Sequence, residues 1–360
     1  MPRAAIALSG GVDSAVAAAL LHEAGYDLIG LTMRLWPKSR CCDERDIEDA
    51  AELCAQLGIP YQVLDYRERF RKEIVDPFIA DYAAGRTPNP CTRCNQTLKF
   101  SALWQEAQAL GAEVLATGHY VRQQTAPEAQ LWRGVDARKD QSYFLYGIER
   151  DLLPRLRFPL GGLRKEEVRA LAHAHRLPIA DKQESQDICF VGGDYRHFLR
   201  EQGVESRPGK ILGPEGEELG THEGVIHFTV GQRRGIGGGS AEPLYVLAVD
   251  AERAEVRVGP AAALLKERLE ISDCNWLLNW QPGEEQQVEV KLRYAAAPVP
   301  ALLRLQEGGR ASLQLSQAQR AITPGQAAVC YRGERLLGGG IIAGLGNGVV
   351  SGPEWPLLRE

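Results

Sequence analysis

The sequence predicts an α/β chain: a doubly wound parallel sheet, followed by a small middle domain and a C-terminal antiparallel β-barrel. Three observations predict it. Short apolar runs alternate with amphipathic helical runs as far as Ala116, the order of strands and helices that builds a parallel sheet. The first strand runs into a glycine-rich turn and then a helix. From about Ile271 the pattern becomes short alternating strands, as in a small barrel. Gly203, Pro208 and Gly209 break the first pattern, so the expected domains are 1–203, 204–270 and 271–360.

In order, Ile6-Ala7-Leu8 reads as a strand, and Val12, Val16, Ala19 and Leu20 give the helix after it one apolar face, ending near Gly25. A second strand is predicted over 28–33. A helix carrying Ile47, Ala50, Ala51, Cys54 and Leu57 ends at Gly58 and leads into a strand over 61–64. Cys54, on that apolar face, reads as core filler. Helical patterns through Phe70, Ile74 and Phe78, and through Leu98, Leu103 and Leu110, precede a strand over 114–116. The middle domain contains Phe228 to Gly235 and the glycine turn 237–239. In the barrel, strands are expected over 288–294, 313–315 and 329–337, with Cys274 and Cys330 as core.

At 360 residues with 44% apolar composition, the chain has the make-up of a globular protein of two or three domains. Met1-Pro2-Arg3 leads almost directly into the first strand, and no apolar run approaches membrane-spanning length; the expectation is a cytoplasmic protein without a membrane partner. Eight cysteines scattered without a secretory signal point to metal or redox chemistry rather than a disulfide framework. A net charge of −5 argues against general nucleic-acid affinity but not against a local basic surface.

Ser9-Gly10-Gly11-Val12-Asp13-Ser14 reads as a pyrophosphate cradle. Its glycines allow a tight turn close to a ligand, and the following helix directs its N–H groups and positive dipole end at the turn. Ser9 and Ser14 add hydroxyl donors. Asp13 would repel phosphate unless Mg2+ lay between them, so the loop predicts a nucleotide plus Mg2+. It lacks the Lys-Ser/Thr ending of a Walker loop, which fits cleavage elsewhere than at the γ-phosphate. Taken singly, Ser9 and Asp13 would read as helix caps.

The loop from Gly85 to Asn95 is stiffened by Pro88 and Pro90 and contains Cys91-Thr92-Arg93-Cys94. No acidic residue occurs between Tyr82 and Gln105, whereas Arg86, Arg93 and Lys99 do, and cationic neighbours favour thiolate. Cys91 and Cys94 fit zinc, iron–sulfur or dithiol chemistry. Cys189, in Asp187-Ile188-Cys189-Phe190, is a candidate third thiol. Three cysteines fit a cluster with one open iron better than a closed zinc site, with Cys41 or Cys42 as a possible fourth ligand.

The loop at Ser9 to Ser14 resembles the signature of the ATP-pyrophosphatase superfamily, whose members split ATP into AMP and pyrophosphate while adenylating an oxygen. With Cys41-Cys42, Asn89 to Asn95, Thr117-Gly118-His119-Tyr120, Asp140 to Leu145, Ile188-Cys189-Phe190, Thr229 to Arg233, Arg293-Tyr294 and Pro324 to Ala328, nearly the whole chain is similar to the bacterial tRNA-specific 2-thiouridylase family. The resemblance implies a tRNA-uridine 2-sulfurtransferase that replaces the C2 oxygen of the wobble uridine in tRNAs for lysine, glutamate and glutamine. It implies ATP at Ala7, Leu8, Ser9, Gly10, Gly11, Val12, Asp13, Ser14, Met33 and Gly118, with Cys94 as nucleophile and Cys189 as persulfide-forming partner. The target base is expected at Asn89, Pro90 and Cys91, and tRNA at His119, Lys139, Asp140, Gln141, Arg293, Tyr294 and Gln326.

Many members carry Asp where this chain has Cys91, so an acid–base role there does not transfer. A thiolate is instead a good iron ligand, and the favoured expectation is a [4Fe–4S] cluster on Cys91, Cys94 and Cys189. The competing one is a metal-free persulfide relay from Cys189 to Cys94, and either needs a sulfur donor protein or relay. Two further classes remain as alternatives: another ATP-pyrophosphatase synthetase, which would have no use for Cys94 and Cys189, and a non-catalytic, nucleotide-gated tRNA-binding module.

Overall fold

The structure is a computed structural model that describes residues 2–37, 43–183, 188–205, 207–236 and 242–345. Cys41, Cys42 and the 237–239 turn lie outside the described residues. The chain divides into two compact units. The first comprises the chain up to Asp76, Pro90–Phe198 and Glu334–Leu337; the second comprises Pro77–Asn89, Leu199–Gly333 and the chain from Gly338.

The first unit is built on a five-stranded parallel sheet. β1 (Arg3–Ala7) leads through the glycine turn into α1 (Val12–Glu23), then β2 (Asp27–Arg34), α2 (Glu44–Leu57) and β3 (Tyr61–Asp65). After α3 (Pro90–Cys94), which continues helically to Ala109, come β4 (Val114–Ala116), β5 (Leu156–Arg157) and α4 (Lys165–Ala174). Strand order is β3-β2-β1-β4-β5, all parallel. The order reverses between β1 and β4, and in such sheets the crevice at the carboxyl ends of these strands is where ligands bind. β1 begins at Arg3, ahead of the expected Ile6, because Ala4 and Ala5 are buried beside β2 and β4.

β1 and the helices around it share one core: Ile6 and Leu8, with Val12 and Val16 of α1, pack with Leu53 and Cys54 of α2 and Val168 of α4. Cys54 fills space in that core, and burial pushes its thiol up to about 12. α2 is closed at its start by a reciprocal pair, Asp43 Oδ1 accepting from Asp46 N and Asp46 Oδ2 accepting from Asp43 N, and at its end by left-handed Gly58.

The second unit contains two β structures. In the smaller, strands run in the order Tyr245–Asp250, Glu255–Gly259, Gly209–Leu212 and Glu218–His222, over a core that includes Phe228, Val246 and Val256. The larger is a closed antiparallel barrel of Leu265–Trp276, Arg310–Arg320, Val299–Gln306, Glu285–Lys291, Ala327–Arg332 and Arg335–Leu345, the last belonging to this unit from Gly338 on and pairing from there back onto the first. Its first strand is Leu265–Trp276. Cys330 is fully buried, as expected, and burial raises its thiol far above the ordinary range. Cys274, expected in the core, is half-buried, although burial and then Asp273 still push its thiol up to about 12.

Candidate active site: a phosphate loop and three thiols around one cavity

The glycine turn follows β1 directly. Gly10 adopts φ +66°, and a Cβ there would come within 2.4 Å of the Asp46 carbonyl oxygen, so both conformation and space require glycine. Gly11 takes the N-cap of α1, and no side chain caps the helix. Neither Ser9 nor Asp13 therefore acts as the cap that each would suggest if taken singly. Ser14 Oγ instead donates to Gly11 O at 2.9 Å and stands 3.3 Å from Ser9 Oγ, placing two hydroxyls at the helix start. Gly118, just past β4, packs on the same turn: a Cβ there would lie 2.8 Å from the backbone of Asp13 and Ser14.

Asp13 carries two contacts that no local motif announces. Its Oδ1 accepts from Tyr120 Oη and from Lys165 Nζ, both at 2.7 Å. Lys165 opens α4, and its largely buried ammonium also stands over the Tyr120 ring. Tyr120 is fastened in turn to Gln141, whose Oε1 accepts from Tyr120 N at 2.9 Å and whose own N–H donates to Tyr120 O at 3.0 Å. Lys165 N donates to Asp136 at 3.1 Å. The carboxylate assigned to Mg2+ is thus linked to the 136–141 segment by two routes.

A cavity of about 330 Å³ opens beside this turn, lined by Ala7, Leu8, Ser9, Asp13, Ser14, Met33, Gly118, His119 and Gln141 together with Pro90, Cys91, Cys94 and Cys189. Gly10, Gly11 and Val12 shape the turn behind that lining. Cys91 and Cys94, three apart on α3, share a helix face; Cys91 is exposed, Cys94 buried and Cys189 intermediate. Among the described residues, no three His, Cys, Asp or Glu side chains converge closely enough to hold a single metal ion. Cys91, Cys94 and Cys189 line the same cavity.

His119 is held between Phe100 and Phe158, its Nδ1 2.8 Å from Thr117 Oγ1. Burial, and then the Lys99 ammonium, lower its pKa well below the ordinary value, so the imidazole is neutral at pH 7. Asp140 is buried with its carboxylate engaged: Oδ1 accepts from Gly134 N and Ser142 N, and Oδ2 from Ser142 Oγ. Lys139 is half-buried beside it.

The remaining candidates belong to the second unit. Thr87, in the loop that leads to Asn89, donates its N–H to Pro324 O at 3.0 Å and accepts from Gln326 Nε2 at 2.8 Å. Gln326 N donates to Thr323 O, and Arg293 donates to Ala321 O and to Thr323 Oγ1. Tyr294, on the surface, lies under Lys291 Nζ at 5.5 Å. The second unit thus joins Arg293, Gln326 and the loop before Asn89, whereas the cavity-lining residues all belong to the first.

A parallel sheet whose switch point carries Ser-Gly-Gly-Val-Asp-Ser defines a nucleotide-binding domain of the ATP-pyrophosphatase class. Family models match the chain in three consecutive segments: a tRNA methyl transferase HUP domain over residues 2–193, a tRNA methyl transferase PRC-barrel domain over 196–260, and an aminomethyltransferase beta-barrel domain over 266–342. Relatives named tRNA-specific 2-thiouridylase MnmA are similar over nearly their full length. That of Acidithiobacillus ferrooxidans is 58% identical over 346 residues, covering 95% of this chain and 98% of its own. That of Magnetococcus marinus is 49% identical (94% and 98% covered), and that of Chloroflexus aurantiacus 48% (95% and 99%). The chain belongs to the tRNA-specific 2-thiouridylase family and is an enzyme of the tRNA sulfurtransferase kind.

Proposed function

We propose that this enzyme replaces the C2 oxygen of the wobble uridine with sulfur in tRNAs for lysine, glutamate and glutamine, at the expense of ATP. The observation that carries the reading is the single cavity lined by Ser9, Asp13 and Ser14 on one part and Cys91, Cys94 and Cys189 on another. Adenylation chemistry and sulfur chemistry need to share one space, because the activated base must meet sulfur before water does.

An amide-like C2 oxygen is a poor leaving group. The base oxygen attacks the α-phosphorus of ATP, pyrophosphate departs into the turn at Ser9 to Ser14, and Asp13 is the carboxylate suited to hold Mg2+ there. Cys189 carries the incoming sulfur as a persulfide. Its terminal sulfur bonds to C2, and the C2–O bond breaks as AMP leaves. Cys94 thiolate then attacks the Cys189 sulfur, forming a Cys94–Cys189 disulfide and leaving the sulfur on C2; a thiol reductant restores both cysteines.

Cys91, Cys94 and Cys189 are also the residues that would hold a [4Fe–4S] cluster, which supplies an iron position for inorganic sulfide when bound. In this reading Asn89, Pro90 and Cys91 meet the base, flipped out of the anticodon loop, and His119, the Lys139 to Gln141 segment, Arg293, Tyr294 and Gln326 meet tRNA. It divides the chain into a catalytic domain (1–203), a small tRNA-contacting domain (204–270) and a barrel (271–360), and places the protein in the cytoplasm with its tRNA. No helix among the described residues is long and apolar enough to cross a membrane.

The deciding experiment incubates the full chain with ATP, unmodified tRNA transcript and sodium sulfide or a cysteine persulfide, and measures 2-thiouridine, AMP and pyrophosphate together. All three products are expected, with AMP dependent on tRNA. AMP formed without tRNA and without need of Cys94 and Cys189 would mark a different ATP-pyrophosphatase. ATP binding with no AMP would mark a tRNA-binding module.

A further inference from the structure

Lys182 makes a contact that the nucleotide turn and the thiols leave unexplained. Its ammonium donates to Asp46 Oδ1 at 2.7 Å and to Asp49 Oδ2, two carboxylates on one face of α2. Asp46 is only 7% exposed; burial pushes its carboxyl above the usual range, and the Lys182 ammonium opposes that shift. The backbone of the same residue is what Gly10 packs against. The first two turns of α2 therefore touch the glycine turn through the Asp46 backbone and Lys182 through the Asp46 and Asp49 side chains.

Lys182 precedes Cys189 by a short stretch of chain. On the far side of the thiol, Phe190 is buried in an aromatic cluster with Phe70 at 5.5 Å, Phe198 at 5.3 Å and Trp36 at 6.3 Å between ring centroids. In sequence, Cys189 is flanked by two fixed points, the ion-paired Lys182 seven residues before it and the packed Phe190 directly after it, and residues 184–187 lie outside the described residues. The Asp49 side of the pair is partly exposed and the Asp46 side buried, and together they fix where Lys182 stands.

We propose that Lys182 is a positioning residue for sulfur transfer, holding the chain that bears Cys189 against the helix on which the phosphate loop rests. The inference builds on the reading of Cys189 as the sulfur carrier. It concerns where the thiol stands and not whether ATP binds, so the two half-reactions separate it from a structural role.

The test compares the full-length wild type with Lys182→Met, Lys182→Arg and Asp49→Asn, each first checked for an unchanged thermal midpoint. Assays contain ATP, tRNA transcript and a cysteine persulfide. For Lys182→Met, tRNA-dependent AMP formation is expected within about threefold of wild type while 2-thiouridine falls at least about tenfold, since a displacement of about 1 Å at a reacting group costs that much or more. Lys182→Arg restores thiolation, and Asp49→Asn gives an intermediate loss. In parallel, the rate at which iodoacetamide labels Cys189 changes in Lys182→Met and returns in Lys182→Arg.

Wild-type thiolation by Lys182→Met with unchanged Cys189 labelling overturns the proposal, as does a parallel fall in AMP and 2-thiouridine. Should the wild type make no 2-thiouridine, the proposed function fails, and the labelling arm alone decides whether Lys182 positions Cys189. If Lys182→Met lowers the midpoint, Asp49→Asn takes its place, with the same outcomes deciding.

Discussion

Tyr120 and Asp13 are joined by a hydrogen bond of 2.7 Å from the phenolic hydroxyl to the carboxylate of the phosphate loop, and Lys165 donates to the same oxygen. A carboxylate held twice by donors is fixed in direction and partly neutralised before any nucleotide arrives. Tyr120 is also the residue that Gln141 grips through both its backbone and its side chain.

Asp13→Asn is expected to abolish adenylation while leaving tRNA binding nearly intact. Filter binding of labelled tRNA beside an AMP assay checks this, and full 2-thiouridine formation by the variant would remove Asp13 from its magnesium role. Tyr120→Phe keeps the ring and loses one hydrogen bond to a charged group, an interaction of about 1.5–3 kcal/mol. The expected result is a tenfold or larger loss in AMP formation, of order 1.4 kcal/mol per tenfold.

Gly118→Ala forces a Cβ to within 2.8 Å of the backbone at Asp13 and Ser14, where nothing can give without moving the loop. Gly10→Ala adds strain at positive φ, of order 1–3 kcal/mol. Both variants are expected to unfold at lower temperature, and the stabilisation that ATP gives the wild type should be largely absent. A thermal melt with and without ATP reads both effects.

Cys91→Ser separates the two sulfur carriers. Anaerobically purified protein is expected to contain about four irons with acid-labile sulfide if the three thiols hold a cluster, and the serine variant then loses iron and activity together. Full activity in iron-free wild type would leave the Cys189 persulfide as carrier and Cys91 as a residue beside the base.

Thiol reactivity should follow exposure and pKa. At pH 8, short alkylation followed by peptide mapping is expected to label Cys91 well before Cys54 and Cys330, which are buried with raised pKa values. Equal labelling of all three would contradict the packing around them.

His119 and His222 both have folded-state pKa values lowered by burial below the ordinary 6.5. Between the folded and unfolded values the unfolded chain binds more protons, so unfolding free energy rises with pH in that window. The contribution is fully present above about pH 6.5 and is lost as the pH falls through the window. Melting temperature is therefore expected to drop on acidification from pH 7 to 5.5, and less so in His222→Gln than in wild type.

The sheet was legible in the sequence because its elements are short and strongly periodic, and because Gly25 and Gly58 mark helix ends where left-handed backbone is needed. The turn at Ser9 to Ser14 was legible because all its parts are contiguous. Lys165 and Lys182 were not: each reaches its carboxylate over a long stretch of chain, and a lone lysine at a helix start carries no local signal. Tyr120 stands within the Thr117 to Tyr120 motif, but nothing in the sequence says that its hydroxyl turns to Asp13. Cys274 is half-buried rather than core because a barrel strand with a register shift between Ser272 and Asn275 no longer alternates cleanly.

The uncapped start of α1 has a bearing on the life of the protein in a cell. A helix whose first turn is closed by no side chain is completed by whatever anion occupies the turn, so nucleotide becomes a folding ligand as well as a reactant. A ligand that binds only the folded chain raises its stability in proportion to the logarithm of its concentration, so the turn that receives ATP would also couple folding to its supply.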